Sequence, residues 1–252
     1  MSTIEAPVDV DVLRREIRKT YTDVSIDQRQ EFIFPTGRGW AEELGYPEPE
    51  LSRVPDATVE SFAGVANHWT HGRIEPGQVV LDLGSGAGLD VLLSARRVAP
   101  DGHAYGVDMT DEMLDIANRN RELAGVPNAT LLKGKIDAVP LPDASVDVVI
   151  SNCVINLAED KSAVVAEAFR LLKPGGLLAV ADMVEVQRLS PELKRRLDSW
   201  AGCISGTIAV DEYRSILVGA GFEEPEIEVH SQQTMTGGGT IGSAYIRARK
   251  SH

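Results

Sequence analysis

The 252-residue chain contains two cysteines, Cys153 and Cys203, and each sits where a thiol could do chemistry. Cys153 closes the apolar run "VDVVISNCVI" beside Asn152, and Cys203 lies in "WAGCISG". The N-terminal stretch "MSTIEAPVDVDVLRREIRK" is acidic first and has no apolar core, so no signal peptide and a cytoplasmic location are expected. Thiols stay reduced in that compartment, which disfavours a structural disulfide. Two readings remain: small buried hydrophobes, or a pair of soft ligands. Two converging thiolates would suit Zn(II), Cu(I) or trivalent arsenic. Structural zinc lacks its usual C-x-x-C and histidine spacing here.

A second constellation lies upstream. "VVLDLGSGAG" places Asp82, Gly84, Gly86 and Gly88 at the end of an apolar run. Glycines there let the backbone approach a ligand and turn tightly into a helix N-terminus. Asp108 follows about 20 residues later in "GVDMT", where an acid accepts hydrogen bonds from a ribose diol. The spacing G-x-G-x-G differs from the dinucleotide fingerprint, and Asp82 would repel a pyrophosphate. It suits a nucleoside that carries a cationic amino group, so a nicotinamide dehydrogenase is disfavoured.

The elements that must position these residues alternate. "QVVLDL", "HAYGVD", "ATLLKGKI", "VDVVISNCVI" and "LLAVADMV" read as strands. Between them "LDVLLSARRV", "DEMLDIANRNRELAG" and "SAVVAEAFRLLKPGG" read as helices, which argues for a parallel sheet covered on both faces. The tail reads as the helices "PELKRRLDSWAGCIS" and "VDEYRSILVGAGF", then two strands joined through Gly237, Gly238 and Gly239 as an antiparallel hairpin. Upstream, "DVLRREIRKTY" reads as a short helix with Val12, Ile17 and Tyr21 on one face, and "TVESFAGVANHW" as another. Residues 33–60 read as irregular around a short "WAEELG" turn. The division expected is a helical cap over residues 1–70 and an α/β domain over residues 71–252, with a substrate-side helix insert at about 188–208. In such a sheet the ends of the fourth and fifth strands face the substrate, which puts Cys153 and Asp182 there and lets Cys203 fold back over the same opening.

Composition bounds the rest. Hydrophobic residues make up 43% and charged residues 25%, as in an ordinary globular protein. A net charge of −13 argues against nucleic-acid binding. No apolar run approaches the roughly 20 residues that cross a bilayer, so no membrane span is expected.

The glycine loop, "GVDMT", "GKID" after the third strand and "LLKPGG" before the fifth resemble the class I S-adenosylmethionine-dependent methyltransferases. That resemblance implies a Rossmann-like fold with a seven-stranded, mostly parallel sheet. Asp82 and the three glycines would hold the methionine end of S-adenosylmethionine and Asp108 the ribose. Met109 would lie against the adenine, with Ile136 and Asp137 at its edge. "SNCVINL" followed by "DK", together with "AGCISG" and "ELGYPEPELSRVPDA", is similar to the arsenite methyltransferase family. By that likeness Cys153 and Cys203 bind trivalent arsenic and Asn152 lies next to the cofactor. The chain departs from the family where a further cysteine is common: "FAGVANH" puts Val65 in its place and His68 where proline stands. The family's C-terminal extension is also expected to be absent or trimmed. Inorganic arsenite takes three thiolates, whereas methylarsenite already carries one carbon, so methylarsenite is the expected substrate, with glutathione or another small thiol as a third ligand otherwise. The rival is a C-, O- or N-methyltransferase of a small metabolite with His68 or His71 as base. A non-enzymatic protein that sequesters cofactor or metalloid is the other. Tyr21 and Trp40 are expected to help close a lid, and Trp200 to pack.

Overall fold

A computed structural model describes residues 11–13, 15–17, 19–20, 34–67, 74–196 and 204–252. The alternation read from the sequence is present. Strands β1 (Val79–Leu83), β2 (His103–Asp108), β3 (Ala129–Lys133), β4 (Val146–Asn152) and β5 (Leu172–Gln187) form the parallel part. Helices α4 (Leu89–Val98), α5 (Asp111–Leu123) and α6 (Lys161–Leu171) alternate with them, and α7 (Val210–Ala220) follows β5. The sheet ends with β6 (Glu226–Val229), β7 (Gln233–Thr234) and β8 (Thr240–Arg249). The order is β3-β2-β1-β4-β5-β8-β6, with β8 antiparallel to both β5 and β6. The sheet has eight strands rather than seven because the two-residue β7 also pairs with β8. The order of strand addition reverses between the parallel neighbours β1 and β4, the switch point at which ligands of open α/β sheets bind.

The alternation of side chains along β1 explains its dual duty. Leu81 and Leu83 face a core shared with Val149, Leu178, Val180 and residues of α6 and α7. Val80 faces the other side with Ile150 and Ala179. Asp82 follows on that second side, at the strand tip. Helix α6 starts at Asp160, whose carboxylate accepts from Ala163 N at 3.0 Å, a cap worth about 1 kcal/mol.

Several local expectations are corrected. Residues 33–60 are not irregular: they hold α1 (Gly37–Glu43), α2 (Glu48–Leu51) and α3 (Asp56–Glu60). Too short to show periodicity, these helices are held by packing of Tyr46, Leu51, Val59 and Phe62 against Leu92 and Leu93 of α4. The helix expected over "TVESFAGVANHW" stops at Glu60, because the chain beyond it bonds across the fold instead. Of the stretch "PELKRRLDSWAGCIS", residues 191–196 hold one 3₁₀ turn, Leu193–Arg195, and residues 197–203 lie outside the described residues. The helix expected before the fifth strand ends at Leu171, and β5 begins at Leu172. Residues 11–13, 15–17 and 19–20 are helical, with Leu13 and Ile17 buried. Tyr21, His68, His71, Trp200 and Cys203 lie outside the described residues. Among the described residues no helix is long and apolar enough to cross a membrane.

Candidate functional site

A cleft of about 1260 Å³ opens over the C-terminal ends of β1 and β2. Its wall includes Asp82, Gly84, Gly86, Asp108, Met109, Ile136, Asp137 and Asn152, which the sequence spreads over some seventy positions. Gly88 is not at this wall. It precedes α4 and packs against Ala117 of α5, where an added Cβ would lie 3.3 Å from the alanine Cβ. Ile17 from the N-terminal helix and Phe62, Ala63 and Gly64 from the cap complete one side.

The glycine loop is fixed by its own geometry. Gly84 N and Ser85 N both donate to Val107 O, at 2.9 and 3.0 Å, so the turn is strapped to β2. Gly84 has φ +72°, and a Cβ there would sit 2.4 Å from Val154 Cγ1. Gly86 N donates to Asp108 Oδ2 at 3.0 Å, and Asp108 Oδ1 accepts from Thr110 N at 2.8 Å. A Cβ on Gly86 would meet nothing within 4 Å, since that glycine faces open cleft.

Three carboxylates converge at the inner end. Asp82 is 4% exposed and Asp90 5%. Burial holds the Asp82 carboxyl well above its ordinary pKa, and the neighbouring Asp90 and Asp108 push it further. Asp108 is also raised by burial, against the opposing hydrogen bonds from Thr110, Gly86 and Met109. Such a cluster is built for a cation. Ser85 Oγ and Asp137 Oδ1 are buried at this wall with no hydrogen-bond partner among the described residues. A polar ligand with an amino group, a diol and a flat apolar part, as S-adenosylmethionine has, fits these residues: acids at one end, orphaned polar atoms along the wall, Met109, Met113 and Ile136 at the other.

The cap grips the cleft through Asn152. Its Oδ1 accepts from Val65 N at 2.8 Å, and its Nδ2 donates to Ala66 O at 2.9 Å and to Tyr46 Oη at 3.2 Å. Tyr46 in turn donates to Asp90 Oδ1 at 2.9 Å, and Trp40 Nε1 donates to Gly64 O at 2.7 Å. Tyr46 was not foreseen, because a lone tyrosine in a cap carries no local signal of a partner in α4. A Cβ on Gly64 would lie 2.5 Å from Asn152 Nδ2 and 2.5 Å from Phe62 Cζ. Gly64→Ala is therefore expected to push the 62–67 segment off Asn152 and weaken ligand binding in the cleft at least tenfold, read by titration calorimetry.

Cys153 follows Asn152 but faces elsewhere. It is 3% exposed, adopts φ +59°, and its N–H donates to Ala181 O at 2.8 Å. Asn152 and Val154 line the cleft whereas Cys153 does not. Its thiol faces the carboxyl of Asp182, fully buried on β5. The described flanks of Cys203 are pinned together: Ser205 Oγ lies 2.7 Å from Leu193 O and 3.0 Å from Arg196 O, and Lys194 Nζ donates to Thr207 O at 2.9 Å. Lys194 also pairs with the buried Glu185 of β5.

The family of methyltransferase domains matches residues 74–221. An arsenite methyltransferase of Halobacterium salinarum is 40% identical over 194 residues, 77% of this chain and 49% of that protein. One from Aquipseudomonas alcaligenes is 39% identical over 155 residues, 59% of this chain and 45% of that protein. The chain thus spans about half the length of these curated relatives. A solved arsenic(III) S-adenosylmethionine methyltransferase from Chlamydomonas reinhardtii superposes with a TM-score of 0.68 at 28% identity, covering 86% of this chain and 75% of that one. With its switch-point cleft and its match over more than half its length, the chain belongs to the methyltransferase domain family.

Proposed function

We propose that this chain transfers a methyl group from S-adenosylmethionine to trivalent arsenic held by the thiolates of Cys153 and Cys203. The observation that carries the reading is one peptide step: Asn152 forms the cleft wall and Cys153, joined to it, carries the thiol at the strand tip. The arsenite methyltransferases among its relatives support the choice of acceptor. When bound, S-adenosylmethionine supplies a methyl group on a sulfonium that the arsenic lone pair can attack.

In this reading Asp82, with Gly84 and Gly86, binds the methionine end, and Gly88 sets the helix packing behind the loop. Asp108 takes the ribose diol, Met109 packs on the adenine, and Ile136 and Asp137 border it. Asn152 ties the cofactor wall to the cap. Residues 1–70 act as that cap over a methyltransferase domain of residues 71–252. A cytoplasmic setting would keep both thiols reduced. The arsenic lone pair needs no base, so catalysis rests on holding acceptor and donor in line with water excluded.

With Val65 in place of a third cysteine, two protein thiolates complete the three bonds of methylarsenite but leave inorganic arsenite one short. A small thiol such as glutathione would fill the gap. The test is an assay of the purified protein with each arsenical, with the products separated by chromatography. Without added thiol, methylarsenite should turn over at least tenfold faster than arsenite, and glutathione should narrow the difference. Faster methylation of arsenite without thiol would defeat the two-thiolate reading. No arsenical product, with S-adenosylmethionine still bound, would favour a different small-molecule acceptor.

A further inference from the structure

The Asp182 carboxyl is among the most deeply buried of the described residues. It is fully buried within β5, beside Cys153, and does not line the cleft. Its Oδ1 accepts from Asn156 Nδ2 at 2.7 Å and from Met183 N at 2.9 Å, which fixes the carboxyl plane. Its Oδ2 is buried with no hydrogen-bond partner among the described residues, and so is the hydroxyl of Tyr213 on α7. Both the Cys153 thiol and the Tyr213 hydroxyl face this carboxyl. Polar groups from the residue after β4, from β5 and from α7 thus meet, and two of their atoms, Asp182 Oδ2 and Tyr213 Oη, have no other hydrogen bond among the described residues. Leaving such groups unsatisfied in a core costs about 1–3 kcal/mol each, a cost that packing alone would not retain. Left-handed backbone at Cys153, unusual for a non-glycine residue, is what turns its side chain toward them.

We propose that Asp182 and Tyr213 are positioning residues that orient the Cys153 side chain for the arsenical. The proposal rests on the arsenic reading above and adds to it which groups fix the first thiol. Asn156, whose carboxamide bridges Asp182 and Met183 O, locks the carboxyl from behind. Neither positioning residue lines the cofactor cleft, so their effect is confined to the acceptor.

The experiment compares the full-length protein with Tyr213→Phe, and with Asp182→Asn as a second, near-isosteric variant. Methylarsenite binding is measured by calorimetry, S-adenosylmethionine binding separately, and KM and kcat for each substrate. The expected result is a rise of about tenfold in the Kd and KM for methylarsenite, which corresponds to one lost hydrogen bond to a charged group, with the cofactor Kd unchanged. An equal rise in the Kd for S-adenosylmethionine would mean general packing and would overturn the proposal. So would unchanged arsenical binding in both variants while Cys153→Ser abolishes it. Methylarsenite binding that survives Cys153→Ser would overturn the arsenic reading and this proposal with it.

Discussion

Cys153→Ser should abolish arsenical methylation, lowering it at least about a thousandfold, while the affinity for S-adenosylmethionine stays within twofold. Serine keeps the size of the side chain and tolerates the same backbone, so the strand tip should survive. What it loses is a soft ligand: a hydroxyl at neutral pH is protonated and hard, whereas arsenic(III) prefers thiolate sulfur. Holding the acceptor through two sulfurs makes the second bond intramolecular, and removing one forfeits an effective-concentration gain on the order of 100- to 10,000-fold. The cofactor should not notice, because Cys153 lies off the wall of the cleft that Asn152 and Val154 form. Chromatography of arsenic species beside calorimetry of the cofactor reads both effects. A serine variant that still makes dimethylated product would end the two-thiolate account.

Asp82→Asn should weaken S-adenosylmethionine binding by about a hundredfold, near the upper end of what a charged hydrogen bond contributes. The expectation comes from the crowding of Asp82, Asp90 and Asp108. Without a cation these carboxyls destabilise one another, and Asp82 keeps its proton well above the usual carboxylate range because it is buried and faces two neighbours. An ammonium group favours the ionised form, so binding expels that proton. Affinity should therefore climb as pH rises through the raised pKa and level off above it. The ligand-free protein should show the opposite sign. Its native state holds a proton on Asp82 that the unfolded chain has already released, so stability falls as pH rises from about 4 through the raised pKa. Cofactor affinity and thermal midpoint, each followed from pH 4.5 to 8.5, measure the two slopes, and Asp82→Asn should flatten both. Equal slopes in the wild type and the variant would exclude Asp82 as their source.

The parallel core was legible because its strands carry short apolar runs and its helices are long enough to show a stripe. The place of Asp82, Gly84, Gly86 and Asp108 at the cleft was legible for the same reason: they sit at strand tips, where the order of elements dictates what lines the opening. Gly88 shows the limit of such reading, since its spacing marks the turn but not which way the turn faces. The cap was opaque because its helices have four to seven residues and depend on partners far along the chain. Val65 and Asn152, for instance, bond across 87 positions. No pattern in "TVESFAGVANHW" announces that bond, and it is what prevents the segment from continuing as a helix. The carboxyl behind Cys153 was equally silent. Asp182 reads as one acid at the end of an apolar strand, and only the fold reveals that Tyr213 on a later helix points at it.

The dipeptide Asn152-Cys153 carries one more implication. Its two side chains leave opposite sides of a single strand tip, one toward the cleft and the other toward β5. Their α-carbons are fixed about 3.8 Å apart by covalent geometry. In the proposed reaction the step from the cofactor wall to the first thiol is therefore set by the chain itself. Changes in the cap or at position 203 would leave that step untouched. Inserting a single residue between the two would do the reverse: Asn152 would stay at the end of β4 and the thiol would be turned away from Asp182.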